Sequence, residues 1–496
     1  MEKVLLINLP IDGQCQDFYA PKYVVSSFAT YPPLGLLYLA TSVKDSYSTE
    51  VMDTVALNYS IEKVVNEIIK KSPDVLGISC QTFRLYPMAE IIRQVKSRLP
   101  KIVTIVGGPH TSIYPVETIN IPGVDYVITG DGEESLKQLI DALSSNNQDK
   151  LNEISGLVFK KENYIIQNPI QYNVNIDNIK VPDRSLLDYR HYFTSADEAA
   201  QVVTMVSSRG CPFRCIFCDV QEKKYRWRSA KSVVDEMEYI ANTFENPIIH
   251  VFDDTFNLFK DRVLEICYEI QKRNLKVNWT TRARIHPFDE EMAAALKQAG
   301  LKRIHFGVES GSEVTLKNIR KGIKKEQIVK AFELSKKYNI DTLAYFMIGF
   351  DWETKKDINQ TISFIKDIKP DYIMASVLYP AAKTEIYKNL LKENKIRNDF
   401  WQEFVTNPTR NFSLPEFRNK KTQKYLDRKL DEIYLNFYLS PQFVINNLKS
   451  QNKDTKFSPL DFLFKVKLAF LIIYSYLSNF ILEVSLFYEK NEIKSK

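Results

Sequence analysis

Sulfur is scarce in this chain, with 6 cysteines in 496 residues. Three of them (Cys15, Cys80 and Cys267) are scattered, so the pattern is not that of a disulfide framework. An excess of one charge is also missing. Basic and acidic residues number 67 and 61 and are interleaved, for a net charge of +6. That balance is too mild to make a nucleic acid the main partner. The opening MEKVLLINLP holds no long apolar stretch followed by a small-residue cleavage site. The expectation is a chain without a secretory signal, in a reducing cytoplasmic setting. Long apolar runs are absent too. In the strongly apolar C-terminal stretch the longest run without charge, Leu468 to Leu482, has 15 residues, against the ~20 that span a bilayer. No repeat, no low-complexity tract and no G-x-G-x-x-G after the first strand is found, and the last of these disfavours a dinucleotide.

What is present reads as an ordinary globular protein, 44% apolar and 26% charged. Its length predicts two or three domains. Residues 1–145 alternate short apolar strands (KVLLINLP, TEVMD, DVLGISC, KIVTIVGG, DYVITGDG) with amphipathic helices. Such alternation predicts a doubly wound parallel sheet, whose ligand sits at the carboxyl ends of the strands. Those ends carry the small, polar stretches GISCQT, VGGPHTS and TGDGEES. Residues 146–198 read as a connector containing a short hairpin. From 199 to 395 the rhythm resumes with a longer period. Strands are expected at 202–207, 248–252, 277–282, 303–308, 342–348 and 372–378, which suggests a partial (β/α)6 barrel. Residues 396–496 form a mostly helical region. Its apolar end is expected to be peripheral: 15 residues cover ~22 Å of helix, Lys465 and Lys467 precede the run, and Glu483 closes it. Helix packing, an in-plane membrane contact and a lipophilic substrate each account for that surface.

The remaining cysteines fall within eight residues. RGCPFRCIFCD sets Cys211, Cys215 and Cys218 in a C-x3-C-x2-C pattern just after the first barrel strand. A structural zinc site wants four ligands, usually as two pairs, and no second C-x2-C exists. A [4Fe–4S] cluster takes a thiolate on each iron, so three leave one iron open. Zinc with a distant fourth ligand is the minority reading.

CPFRCIFC resembles the motif of radical S-adenosylmethionine (SAM) enzymes, in spacing and in the aromatic before the last cysteine. That resemblance implies a cluster whose open iron chelates SAM, whose reductive cleavage gives a 5′-deoxyadenosyl radical. HVFDDTFNL (250–258) looks like the family's second strand and IHFGVESGSEVTLKNIRKG (304–322) like its fourth strand and following helix. Asp253, Asp254, Glu309 and Arg320 are thereby the candidate SAM-binding residues. For the two aspartates strand-end capping is the rival reading, and for Arg320 a solvated helix charge. FMIGFDWET (346–354) lacks the family's proline in this turn, and LYPAAKTEIY (378–387) lacks its glycine.

Placed before such a barrel, the first domain resembles a cobalamin-binding domain. YPPLGLLYLA (31–40), GISCQTF (77–83), VGGPHTS (106–112) and GDGEESL (130–136) stand in that order. The implied cobalamin-binding residues are Ser79, Thr82, Gly107, Gly108, His110, Gly130, Gly132 and Glu133. Many such domains carry D-x-H-x-x-G, but here TVALN follows Asp53, so no imidazole from that loop is expected below cobalt. The resemblance covers roughly residues 1–395. It implies an enzyme using SAM, a [4Fe–4S] cluster and cobalamin, most often to methylate an unactivated carbon or phosphorus. A radical cyclase or rearrangement enzyme of the same architecture, and a non-catalytic redox sensor, are the alternatives. The implied partners are a small-molecule substrate and a reductant such as flavodoxin or ferredoxin.

Overall fold

The structure is a computed structural model and describes residues 1–12, 29–172, 175–194, 197, 200–412, 417–440 and 443. Cys15 and the apolar stretch 468–482 lie outside these residues. Among the described residues no helix is long and apolar enough to cross a membrane.

The strands in chain order are β1 (Lys3–Asn8), β2 (Ala29–Thr30), β3 (Ser48–Asp53), β4 (Val75–Ser79), β5 (Val103–Gly107), β6 (Tyr126–Ile128), β7 (Leu157–Lys161), β8 (Tyr164–Gln167), β9 (Phe193–Thr194), β10 (Gln201–Met205), β11 (Ser208–Arg209), β12 (Arg226–Trp227), β13 (Pro247–Val251), β14 (Asn278–Ala283), β15 (Leu301–Glu309), β16 (Asp341–Ile348) and β17 (Tyr372–Val377). The first sheet has the order β3-β1-β4-β5-β6-β7-β8. Its first five members are parallel. The expected hairpin forms as β7 and β8 and pairs antiparallel with β6, so the first sheet runs on into the stretch read as connector. Buried runs such as VLLI in β1 and VLGI in β4 suit a sheet covered on both faces. Strand order reverses between β1 and β4, which opens a crevice at their carboxyl ends.

The second sheet, β10-β13-β14-β15-β16-β17, is parallel throughout with strands in chain order, a half-barrel closed outside by helices. Helix starts follow local chemistry. The side chains of Ser60, Ser229, Asp289, Ser312, Thr354, Thr384 and Asn419 each accept a backbone N–H of the turn they begin. One apolar cluster runs from Leu5 and Ile78 in the first sheet to Val203 and Ile304 in the second. The connector is pinned by a buried charge: Glu236 pairs with Arg184 at 2.5 Å and with Arg228.

The open edge of the half-barrel is not bare. Helix Lys420–Tyr438 lies along β17, and its Tyr434 hydroxyl accepts from Ala375 N and donates to Ala375 O. Tyr438 does the same at Ile373. Two buried phenols thus replace the missing neighbour strand.

Candidate active site: a cysteine loop beside a glycine-walled slot

The cysteine loop leaves the carboxyl end of β10 and returns through the ribbon of β11 and β12. Gly210 opens it at φ +80°, where an added Cβ would lie 2.4 Å from the Lys224 carbonyl. Cys211 N donates to Glu222 O at 3.0 Å, and Cys218 N to Cys215 O at 3.1 Å. The segment after β15 clamps the loop from outside: Ile216 N donates to Ile319 O, and Cys215 Sγ lies 3.8 Å from Arg320 O. Arg284, just past β14, stacks its guanidinium 3.5 Å from the Phe213 ring centre and donates to Lys321 O at 2.5 Å.

The three loop thiols are partly exposed, whereas Cys80 and Cys267 are buried. Burial pushes the Cys211 thiol up, and that of Cys218 to about 11; Arg284 pulls the first down and Lys223 the second. Cys215 is felt electrostatically by both, so the three thiols share one neighbourhood. Among the described residues no three Cys, His, Asp or Glu side chains gather as a single ion needs. Three thiolates on one loop match a cluster, which takes one thiolate per iron, better than a structural zinc site, which wants four ligands.

The SAM-binding candidates have different fates. Asp253 is wholly buried, and its oxygens accept from the backbone N–H and hydroxyl of both Ser207 and Ser208. Asp253 thus caps the chain entering the cysteine loop, as its rival reading expects. Asp254 is exposed, accepts from Gly210 N, and acts on Cys211. Crowding by burial and by Asp253 raises its carboxyl. Glu309, at the end of β15 with φ +68°, accepts from Lys321 Nζ at 2.7 Å. Arg320 directs its guanidinium outward to Glu385 at 2.7 Å, and only its carbonyl faces the loop. In this arrangement the Arg320 guanidinium is engaged by an exposed ion pair.

In the first domain a cavity of about 340 Å³ opens at the expected crevice. Ser79, Gly107, Gly108, Gly130, Gly132 and Glu133 line it, with apolar walls from Leu6, Ile105 and Ile128. Gly108 has φ +97°, and a Cβ there would meet Cys80 N and O at 2.9 Å. A flat aromatic tail fits between such small-residue walls. Thr82 and His110 stand behind them: His110 is fully buried, its Nδ1 meets Thr82 Oγ1 at 3.1 Å, and burial lowers its pKa to about 3. Neither lines the cavity. Asp53 accepts from Asn8 Nδ2 and Tyr192 OH, which hold its loop shut.

Sequence reasoning missed the residues that join the two halves. Arg209, two positions before Cys211, lines the slot and pairs with Asp131 at 2.8 Å and Glu133 at 2.5 Å. Arg226, on the facing strand of the ribbon, pairs with Asp131 at 2.6 Å. Burial works to raise the Asp131 carboxyl, but these arginines hold it below its usual range. The same ribbon thus frames the cysteines and borders the slot. Its only sequence signal is an arginine beside a cysteine motif.

Comparison with known proteins agrees with this geometry. Residues 205–365 match the model of the radical SAM superfamily, and residues 22–140 that of the B12 binding domain. The uncharacterized methyltransferase PH0819 of Pyrococcus horikoshii is 31% identical over 452 residues, 90% of this chain and 94% of its own. The anaerobic magnesium-protoporphyrin IX monomethyl ester cyclase of Rubrivivax gelatinosus is 26% identical over 73% of this chain and 66% of its own. Among solved structures, OxsB with aqua-cobalamin and S-adenosylmethionine bound superposes with a TM-score of 0.65 at 20% identity, over 97% of this chain and 71% of that one. The methyltransferase TsrM from Kitasatospora setae gives 0.63 at 20% identity, over 79% and 78%. At that identity both show a shared fold.

Proposed function

The chain belongs to the enzymes that join a B12-binding domain to a radical SAM domain, and on that premise we propose that it is a cobalamin-dependent methyltransferase. SAM, a [4Fe–4S] cluster and cobalamin are its cofactors; when bound they supply reductive SAM cleavage and methyl carriage. Cys211, Cys215 and Cys218 hold the cluster. Asp254 and the Glu309–Lys321 pair are the polar groups assigned to SAM. Ser79 and the glycines of the slot take the corrinoid tail. A one-electron donor such as flavodoxin or ferredoxin supplies the reducing equivalent, and the substrate is a small molecule with an unactivated carbon or phosphorus.

The observation that carries this reading is the shared ribbon: Arg209 borders the slot while Cys211 follows it on the same strand turn. A corrinoid in the slot and a cluster on the loop are thereby neighbours. The test is anaerobic turnover of reconstituted protein with dithionite, methylcobalamin and methyl-deuterated SAM. Methylation predicts both S-adenosylhomocysteine and 5′-deoxyadenosine, with label passing to cobalamin. The cyclase relatives favour a second reading, oxidative ring closure. It predicts 5′-deoxyadenosine without S-adenosylhomocysteine.

A further inference from the structure

The proposed function leaves the substrate's chemistry open, and the barrel interior narrows it. Interior-facing residues alternate along barrel strands, and the strand register sorts them into levels. Thr204, His250, Thr280 and Arg303 share one register line. This level is a closed floor: Arg303 pairs with Asp197 at 2.9 Å, and Thr280 Oγ1 meets His250 Nδ1 at 2.9 Å. All four are buried. One level nearer the carboxyl ends stand Arg282, His305, Leu343 and Tyr372. Above them come Gly307, Tyr345 and Met374.

Arg282 differs from every other cation around it. Arg303 is matched by Asp197 and Lys321 by Glu309, while Arg284 is spent on Phe213 and the Lys321 carbonyl. Arg282 is exposed, and its guanidinium lies 4.4 Å from the centre of the Phe252 ring. Among the described residues it has no ion pair, although its charge acts on Asp254. Beside it, the buried His305 has Nδ1 at 3.2 Å from Tyr345 OH, and its Nε2 has no partner among the described residues. His250 and His305 are both held neutral by burial, so neither supplies nor cancels charge there. Tyr31 stands edge-on to Phe252 at 4.8 Å and completes an aromatic wall. A guanidinium with an open fork matches carboxylate and phosphate in two-point geometry. Arg284, two residues on and just past the strand, touches the cysteine loop. Two residues span ~7 Å, so a group held by Arg282 lies about one side-chain level from that loop.

We propose that Arg282, with Phe252, His305 and Tyr345 around it, anchors a carboxylate or phosphate of the small-molecule substrate inside the barrel. This rests on the proposed function only in taking the barrel interior as the substrate's place. The carboxylate of SAM is the other source of the same chemistry, and the experiment separates them.

The full-length reconstituted holoenzyme is titrated with inorganic phosphate by calorimetry, as wild type, Arg282→Gln and Arg282→Lys. SAM binding and dithionite-driven release of 5′-deoxyadenosine are measured on the same samples, with circular dichroism to confirm folding. Wild type should bind phosphate saturably. Arg282→Gln should weaken it at least tenfold and Arg282→Lys less, with SAM binding and cleavage unchanged in both. Equal phosphate binding by wild type and Arg282→Gln, or no saturable binding by wild type, overturns the proposal. So does a tenfold loss of SAM affinity in Arg282→Gln with phosphate binding intact, which assigns the guanidinium to SAM. Phosphate binding through Arg282 in a protein that never cleaves SAM sustains the anion site and sinks the radical SAM reading instead.

Discussion

Truncating Arg284 to alanine removes the clamp on the cysteine loop and leaves the cysteines themselves untouched. The side chain is 8% exposed, so its contacts are largely desolvated. Its stack on Phe213 is a buried cation–π contact of about 2 kcal/mol. Its hydrogen bond to the Lys321 carbonyl comes from a charged donor and contributes about 1.5–3 kcal/mol. The backbone N–H of Arg284 still reaches Asn257 Oδ1, so β14 stays anchored. The loss, about 3.5–5 kcal/mol on these figures, therefore falls on two partners: the loop around Phe213 and the turn 319–322. If about 3 kcal/mol is spent on loop order, the closed loop becomes roughly a hundredfold less populated. The assay is cluster retention: the protein is reconstituted anaerobically, challenged with an iron chelator, and followed by absorbance. Arg284→Ala should lose iron at least tenfold faster than wild type, with circular dichroism unchanged. Arg284→Lys should fall between, because it keeps charge without the planar face. Wild-type retention and wild-type SAM cleavage in Arg284→Ala would refute the clamp.

Four further outcomes follow from the same geometry. Replacing Cys211, Cys215 and Cys218 together with alanine should remove about four irons per chain and abolish SAM cleavage, as read by iron analysis and chromatography. Gly108→Ala forces a Cβ against Cys80 at a left-handed φ; corrinoid retained after gel filtration should drop at least tenfold, with iron content unchanged. Tyr434→Phe strips the partner from Ala375 N and O; chemical denaturation should show a loss of about 1–3 kcal/mol. Glu353 is raised by burial from 4.5 to about 7, although Gly349 N and Phe350 N donate to it. Between those values the folded state binds the extra proton, so stability falls as pH rises through the window; Glu353→Gln should flatten that slope by at most ~1.4 kcal/mol per pH unit.

The turn containing Glu353 also shows how far local sequence reaches. The missing proline left its shape in doubt, and the carboxylate accepting from two backbone N–H groups supplies the shape instead. The strands were legible within a few residues because fully buried parallel strands read as unbroken apolar runs. Helix starts were legible because a capping hydroxyl or carboxylate acts within three residues. The cysteine loop was legible for the same reason, its three donors falling inside eight positions.

Polar fates were not legible, because each is settled by a group far away in the chain. Asp253 and Asp254 are neighbours, yet the first is consumed by serines 45 and 46 positions away, while the second stays exposed. Arg320 looked free until Glu385, 65 positions on, took it. Arg209 and Arg226 carry no motif, and only the packing of the ribbon on the first domain shows that Arg209 borders the slot and that both pair with its Asp131. Arg282 is one arginine among many in sequence; its lack of an ion pair among the described residues appears only once six strands bring its neighbours to the same level. Burial and backbone pairing depend on the kind of residue and its spacing, which a sequence writes directly. Where a charge finds its counter-charge depends on distances that exist only after the strands have closed.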